Sequence, residues 1–335
     1  MAYAEEGSQQ AHQVQTPGPS YPGSWRLEQC KYNPVMEFLT NIFTQVPTNV
    51  IEVYNPLLST WSLSPSLTLP GSSRAYHGLE VTGGTLIWCV GGYSQSGGFL
   101  NSLHTFNLTT GQWAEMSGMS ERRCYVSTVT HQGYIYALGG HAGGTEERLR
   151  TAEVYDPVIN QWTALPSMIH ARSDFASVVF RGEIYVIGGF AGTHYNDSVE
   201  KFNPGGNVWS HVITLQVRRS GACAVLANDR IYVLGGYDGV DRLASVECFS
   251  PGLMGVTRHV VPDMLHRRSN FSAVLVDSNT IMVVGGFMKD LQEEDGEVSG
   301  HVELLDVTTN VWRSASPLNV PRSALKAITV DNFYG

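Results

Sequence analysis

The chain has 335 residues, a formal net charge of −9, 42% apolar residues and 15% charged ones. The acidic balance argues against nucleic acid as a partner, because phosphate binding needs clustered basic residues. No run approaches the roughly 20 apolar residues of a membrane-spanning helix, so the expected setting is soluble and cytoplasmic, with no membrane contact.

Residues 1–33 come first in chain order. They are rich in Gln, Ser, Gly, Pro and Tyr and lack aliphatic clusters. Such a segment cannot bury enough surface to offset its ordering entropy, and it reads as a disordered N-terminal arm. It also lacks the basic start and apolar stretch of a secretory signal. Residues 34–47 read as a degenerate second strand of a closing blade; in Val35-Met36-Glu37-Phe38-Leu39-Thr40-Asn41-Ile42-Phe43-Thr44, Phe38 to Thr44 is either that strand or a short helix outside the ring.

From there the chain repeats. Glycine pairs stand at Gly91-Gly92, Gly139-Gly140, Gly188-Gly189, Gly235-Gly236 and Gly285-Gly286, at spacings of 48, 49, 47 and 50 residues. A fixed period of this length marks a repeat architecture. Each pair closes an apolar run such as Glu183-Ile184-Tyr185-Val186-Ile187, which reads as a strand buried on both faces. An arginine precedes each pair by 16 or 17 residues (Arg74, Arg123, Arg172, Arg219, Arg268), and Arg322 opens a further copy. Small or apolar residues follow each arginine, as an innermost strand crowded about an axis requires.

A third strand starts at Glu52, His104, Glu153, Glu200, Glu247 and Glu303, and nine residues later comes Trp61, Trp113, Trp162, Trp209 or Trp312. Counting nine from Glu247 lands on Val256, so that copy is expected to have a smaller wedge. The unit is four short antiparallel strands, and residues 34–335 read as six such blades. The chain ends with a first strand and begins with later strands, so pairing the two ends would complete a blade and remove exposed sheet edges.

Arginine strand, glycine pair, aromatic-acid-proline step and tryptophan, in that order, resemble the kelch motif. Arg74-Ala75-Tyr76-His77-Gly78, Arg122-Arg123-Cys124-Tyr125, Arg172-Ser173-Asp174, Arg218-Arg219-Ser220-Gly221, Arg268-Ser269-Asn270-Phe271 and Arg322-Ser323-Ala324-Leu325 are similar to the propeller of the kelch-like (BTB-BACK-Kelch) ubiquitin-ligase adaptors. The resemblance implies an all-β, six-bladed kelch β-propeller, closed by the C-terminal strand on the N-terminal blade. It also implies a substrate receptor for a cullin-based ligase. BTB and BACK domains would occupy some 250 residues ahead of the propeller, and only 47 precede it here. Cullin is therefore expected as a partner only if a longer form or another chain supplies a BTB domain. A fragment, an incomplete gene model and a natural kelch-only competitor of the full adaptor stay open, beside a free-standing scaffold or actin-associated protein.

No enzyme activity, metal or cofactor is expected. No His or Cys spacing suits zinc, and no glycine-rich loop opens a helix to hold phosphate. The odd count of five cysteines reads as buried free thiols. A protein substrate is expected at the propeller mouth, where the loops after the glycine pairs and the residues just past the arginines share one face. The candidate contacts are Tyr76, His77, Tyr93, Tyr125, His141, Asp174, Phe175, Phe190, Tyr237, Asn270, Phe271 and Phe287. Tyr76, Tyr125, Phe175, Tyr237 and Phe271 are expected to supply most of the binding energy, as aromatic anchors do elsewhere. The stretch Lys289 to Glu297 carries five acids and one lysine, and reads as a negative finger for a basic ligand or as a solvated insertion.

Overall fold

The computed structural model describes residues 35–38, 51–64, 73–94, 96, 98–143, 148–288 and 296–330, and every regular element in them is a β-strand. The strands form five four-stranded sheets, one five-stranded sheet and a three-stranded one. A representative sheet runs Ala176–Phe180, Glu183–Ile187, Ser198–Asn203 and Val208–Thr214 in chain order. Ile184, Tyr185, Val186 and Ile187 are all buried, so that second strand is covered on both faces. One face packs on the next sheet, where Tyr185, Ile187 and Val199 meet Ile231, Val233 and Phe249.

The tryptophans stitch neighbouring sheets together. The indole N–H groups of Trp162, Trp209, Trp312 and Trp61 donate to the carbonyls of Ser117, Pro166, Pro262 and Ser316, each just past the outer strand of the preceding sheet. Val256 packs in the cluster between its sheet and the preceding one, the smaller wedge expected, but it does not hold the tryptophan's cross-strand register. The hairpin Val246–Gly252 to Gly255–His259 is longer, so Arg258 lies opposite Phe249, in the place Trp162 takes opposite Tyr155. Arg258 also takes over the tryptophan's bond, donating to the Thr214 carbonyl, and its other nitrogen meets Glu247 at 3.0 Å.

Lys326–Thr329, Val35–Phe38, Ile51–Asn55 and Thr60–Leu63 make one sheet in that order, with Met36 opposite both Ile328 and Val53. The second strand of this seam sheet is thus Val35–Phe38. Of the stretch Phe38 to Thr44 only Phe38 is described, and residues 1–33 and 289–295 lie outside the described residues. On one side Tyr54 and Trp61 pack with Met282 and Val284, and on the other Ile51 and Ile328 pack with Ile87 and Phe106. Each innermost strand neighbours the next, and Lys326–Thr329 neighbours both Ser272–Leu275 and Gly78–Thr82.

The repeated arginines are structural. Arg123, Arg172, Arg219, Arg268 and Arg322 are fully buried. Each pairs with the glutamate that opens or lies within a third strand: Glu153, Glu200, Glu247, Glu303 and Glu52. Arg172 shows the whole pattern. Its Nη1 donates to the carbonyls of Gly188 and Ser198 at 2.8 and 3.1 Å, while Glu200 accepts from the backbone N–H groups of Ile169 and His170 at 2.8 and 3.1 Å. One buried pair thereby fixes the glycine loop, the third strand and the loop arriving from the preceding sheet. Arg322 and Glu52 do the same across 270 residues of chain.

Arg74 lacks this carboxylate, because His104 stands in the glutamate's place and meets Nη2 at 3.3 Å. Burial and the Arg74 charge hold His104 below the ordinary imidazole pKa, so it serves as a neutral acceptor. His104→Glu is expected to stabilise the fold by about 1–2 kcal/mol, since the arginine's desolvation is already incurred. Urea unfolding measures this, and a lowered midpoint would contradict it.

Candidate functional site

The glycine pairs bring loops from adjacent sheets to one end of the strands. Gly139 and Gly140 have φ of +53° and +99°, and a Cβ on Gly139 would stand 2.4 Å from the Arg172 carbonyl oxygen, so only glycine fits under the next sheet. Two residues past each arginine the chain makes a second unusual turn. Tyr76, Tyr125, Asp174, Gly221, Asn270 and Ala324 all have φ between +52° and +59°. The recurrence in every repeat shows that this turn is architectural.

These residues form a neck. Asp174 N–H donates to the Tyr125 carbonyl at 3.1 Å, Gly221 to Asp174 at 2.9 Å, Asn270 to Gly221 at 2.8 Å and Ala324 to Asn270 at 2.8 Å. The Tyr76 and Tyr125 rings stack with centroids 3.7 Å apart. Opposite them, the Asn270 amide reaches past Gly221 and donates to both Asp174 oxygens at 3.2 and 3.3 Å. Gly221 makes that reach possible, because a Cβ there would lie 3.1 Å from the Asn270 amide. Burial pushes the Asp174 carboxyl up to about 6, against the pull of Asn270, Lys326 and Arg148. Burial likewise lifts the Tyr76 phenol to about 12.

Glu80 lies on the innermost strand Gly78–Thr82 and accepts from Thr128 Oγ1 at 2.9 Å. Burial pushes its carboxyl up to about 7, while Thr128 and Lys326 pull the other way. A carboxyl held above its unfolded value is favoured in its protonated form by the fold. Its stabilising contribution is therefore present at low pH and is lost as the pH rises through about 7. Glu80→Gln, which mimics the protonated acid, is expected to raise stability by about 1–2 kcal/mol near pH 7.5. The gap should close below about pH 4.5, and a gap independent of pH in urea titrations would refute the assignment.

Above the neck the loops interlock in a regular stack. Phe99 lies 5.1 Å from His141, Arg148 lies 5.1 Å above the Phe190 ring, Tyr195 is 5.3 Å from Tyr237, and Arg242 is 4.6 Å from Phe287. In each case a side chain from the second half of one loop covers the residue just after the next sheet's glycine pair. Within loops, Tyr93 meets Phe99 at 5.6 Å, Phe190 meets Tyr195 at 5.0 Å, and Arg242 sits 4.6 Å over Tyr237. Tyr76, Tyr125, Asp174, Phe190, Tyr237, Asn270 and Phe287 line one depression at this mouth together with Arg148, Tyr195 and Arg242. Tyr93 is partly exposed, and His141 shares its cluster through Phe99.

Three expected contacts do not belong at the surface. Phe175 and Phe271 are 4% and 3% exposed, and His77 is fully buried. The turn at the preceding residue throws each of them beneath the neck. The Phe175 ring would be 2.8 Å from a Cβ on Gly139, and Phe271 sits equally close under Gly235. Both are core side chains. Burial, with Arg74 and Lys326 nearby, holds His77 down to about 3, so it is a neutral core imidazole. Missing from the sequence-derived set were Arg148, Tyr195 and Arg242, each a large side chain just ahead of a third strand in a loop of otherwise small or polar residues.

Among the described residues, no helix is long and apolar enough to cross a membrane. Cys89, Cys124, Cys223 and Cys248 are free thiols, three of them buried.

Residues 43–236 match the KLHDC2/KLHL20/DRC7 Kelch-repeats domain, and residues 267–319 match the Kelch motif. The chain is 36% identical over 112 residues to the Kelch repeat-containing protein kel-10 of Caenorhabditis elegans, a match covering 32% of this chain and 19% of the relative. It is 35% identical over 112 residues to the Kelch repeat and BTB domain-containing protein F47D12.7 of the same organism, again covering 32% and 19%. The match thus spans about a fifth of the length of these relatives. The solved structure of YjhT aligns with a TM-score of 0.67 over 76% of this chain and 87% of that one, at 13% identity, a likeness of fold alone. With its glycine pairs, buried arginines and four-stranded antiparallel sheets, the chain belongs to the kelch-repeat family.

Proposed function

We propose that the sheets are the six blades of a closed propeller whose mouth holds a partner protein, and that the chain is the substrate-recognition part of a cullin-RING ubiquitin-ligase adaptor. The observation that carries the binding reading is the mouth itself: stacked aromatic and arginine side chains over a neck braced by backbone hydrogen bonds and buried ion pairs. Rigid aromatic and arginine surfaces of this kind are the anchors of protein interfaces, because little entropy is lost on contact. The ring reading is supported by the seam sheet, which packs on the sheets at both ends of the repeat. The ligase role is supported by kinship with a relative whose name carries a BTB domain. On this reading the cullin is reached through a BTB domain from a longer form or another chain.

A photo-crosslinking residue placed at Tyr237 should form adducts with a discrete partner in cells, and one placed at Val158, at the far end of a blade, should not. Tyr125→Ala should reduce capture at Tyr237. Equal labelling from both positions would remove the mouth as the site. If the captured partner is ubiquitinated only when a BTB-containing form is present, the adaptor role holds. A partner captured at the mouth but never ubiquitinated leaves the kelch-only scaffold or actin-associated protein.

A further inference from the structure

We infer that the cavity among the innermost strands, beyond the neck, is a second binding site, for a small protonated amine on a compact apolar body, and that Glu80 holds its ammonium. The inference is independent of the mouth and of any protein bound there.

The cavity reaches from the level of Thr128 and Ser177 to that of Val81, Val179, Leu275 and Thr329, and its volume is about 380 Å³. That is the size of a small-molecule site. Among the described residues Glu80 is the only ionisable group bordering it, and the rest of the lining is Val, Leu, Ile, Ala, Thr and Ser.

The repeat supplies its own comparison. Glu80 stands opposite Trp88, at the middle of its innermost strand. In the same register of the other repeats, opposite Tyr136, Tyr185, Tyr232, Met282 and Met36, stand Val129, Val178, Val225, Val274 and Ile328. All of them border the same cavity. The position is thus built for a β-branched apolar side chain, and folding does not call for a carboxyl there. Burial works against its charge and lifts its pKa to about 7. A carboxyl kept in a cavity against the preference of its surroundings is the mark of a site.

The neighbours leave it available. From Ser127–His131, Thr128 Oγ1 donates to it at 2.9 Å and Thr130 also bonds it. The paired strand Leu86–Ser94 offers Trp88, whose indole N–H is already given to Thr82, and the buried thiol of Cys89. On the other flank Lys326 acts on its charge but lines the neck, so among the described residues no cation borders the cavity. An ammonium at Glu80 would gain a charge-assisted bond in a low-dielectric setting. The threonine hydroxyls can accept its other N–H groups, and the β-branched wall covers its apolar body.

The test titrates benzylamine, which stays protonated across neutral pH, into the whole chain by saturation-transfer NMR, with benzyl alcohol and benzoate as its uncharged and anionic counterparts. Benzylamine should bind saturably, benzyl alcohol about tenfold or more weaker, and benzoate weaker still. Because the ammonium takes the ionised carboxyl, affinity should be about tenfold lower at pH 6 than at pH 8, following a group that loses its proton near 7. Glu80→Val installs the residue of the other repeats, and Glu80→Gln keeps the shape; each should weaken benzylamine about tenfold or more and remove the pH dependence. Lys201→Gln, in a third strand away from the cavity, should change nothing. Absence of saturable benzylamine binding, equal binding by benzyl alcohol, affinity indifferent to pH, or binding that persists in both Glu80 variants overturns the inference. None of these outcomes bears on the mouth.

Discussion

Glu200→Gln is expected to cost about 3–5 kcal/mol of folding stability. The glutamate is fully buried, pairs with the equally buried Arg172, and accepts backbone N–H groups from Ile169 and His170. Glutamine keeps the shape but removes the charge, so the Arg172 guanidinium stays in the interior without compensation. Leaving one buried charge unpaired costs far more than the net worth of the pair, because its desolvation is no longer offset. The exposed-side comparison is Lys201→Gln, which breaks a partly exposed pair with Glu183 and should cost less than about 1 kcal/mol. Urea denaturation of both variants checks this. Equal effects would mean that the arginine network does not hold the loops in place.

Removing residues 322–335 is expected to abolish cooperative unfolding. It takes away the innermost strand Lys326–Thr329, the Arg322–Glu52 pair, and Leu325, which packs under Gly285. What remains is Val35–Phe38 with an open edge, a four-residue strand paired on one side only. Apolar surface shared by the seam sheet and both its neighbours would then meet water, and the loss should spread rather than stay local. A broadened thermal transition with dye binding to exposed apolar surface is the expected signature. Unchanged melting would contradict closure through the C-terminal strand.

Much of the fold is legible in the chain because the repeat writes each element several times. Glycine pairs, arginines and tryptophans stand at near-constant spacing, so strand order follows by counting. Departures are missed where a single copy changes length. The hairpin around Gly252 and Gly255 is extended, and counting from Glu247 therefore reaches Val256, which packs in the wedge, while Arg258 takes the tryptophan's cross-strand register and hydrogen bond. The second strand expected within residues 34–47 lies at Val35–Phe38 rather than from Phe38 onward, a position the sequence does not mark because no glycine pair ends the strand. Each glutamate could be read as a strand start, but its role as the arginine's partner depends on a contact between strands that spacing does not display.

The site was legible as a region more than as a residue set. Burial separates Asp174 from Phe175 and Asn270 from Phe271, because a left-handed turn sends consecutive side chains to opposite sides of the neck. A sequence shows both neighbours as polar-aromatic pairs and cannot tell which one faces outward. Tyr195 and Arg242 stand six residues past their glycine pairs and Arg148 eight, but all three stand five residues ahead of Glu200, Glu247 and Glu153, so counting back from the third-strand glutamate finds what counting forward from the glycines does not. What unites them is stacking on the next sheet's loop, a long-range relation.

The direct test of the ring that sets the mouth in place is native-state hydrogen exchange of the innermost strands. If the ring is closed, the backbone amides of Lys326–Thr329 should be protected to the same degree as those of Ala176–Phe180, since both strands are paired and flanked by inner neighbours on each side. Exchange of Lys326–Thr329 as fast as an exposed hairpin turn, with Ala176–Phe180 still protected, would contradict it.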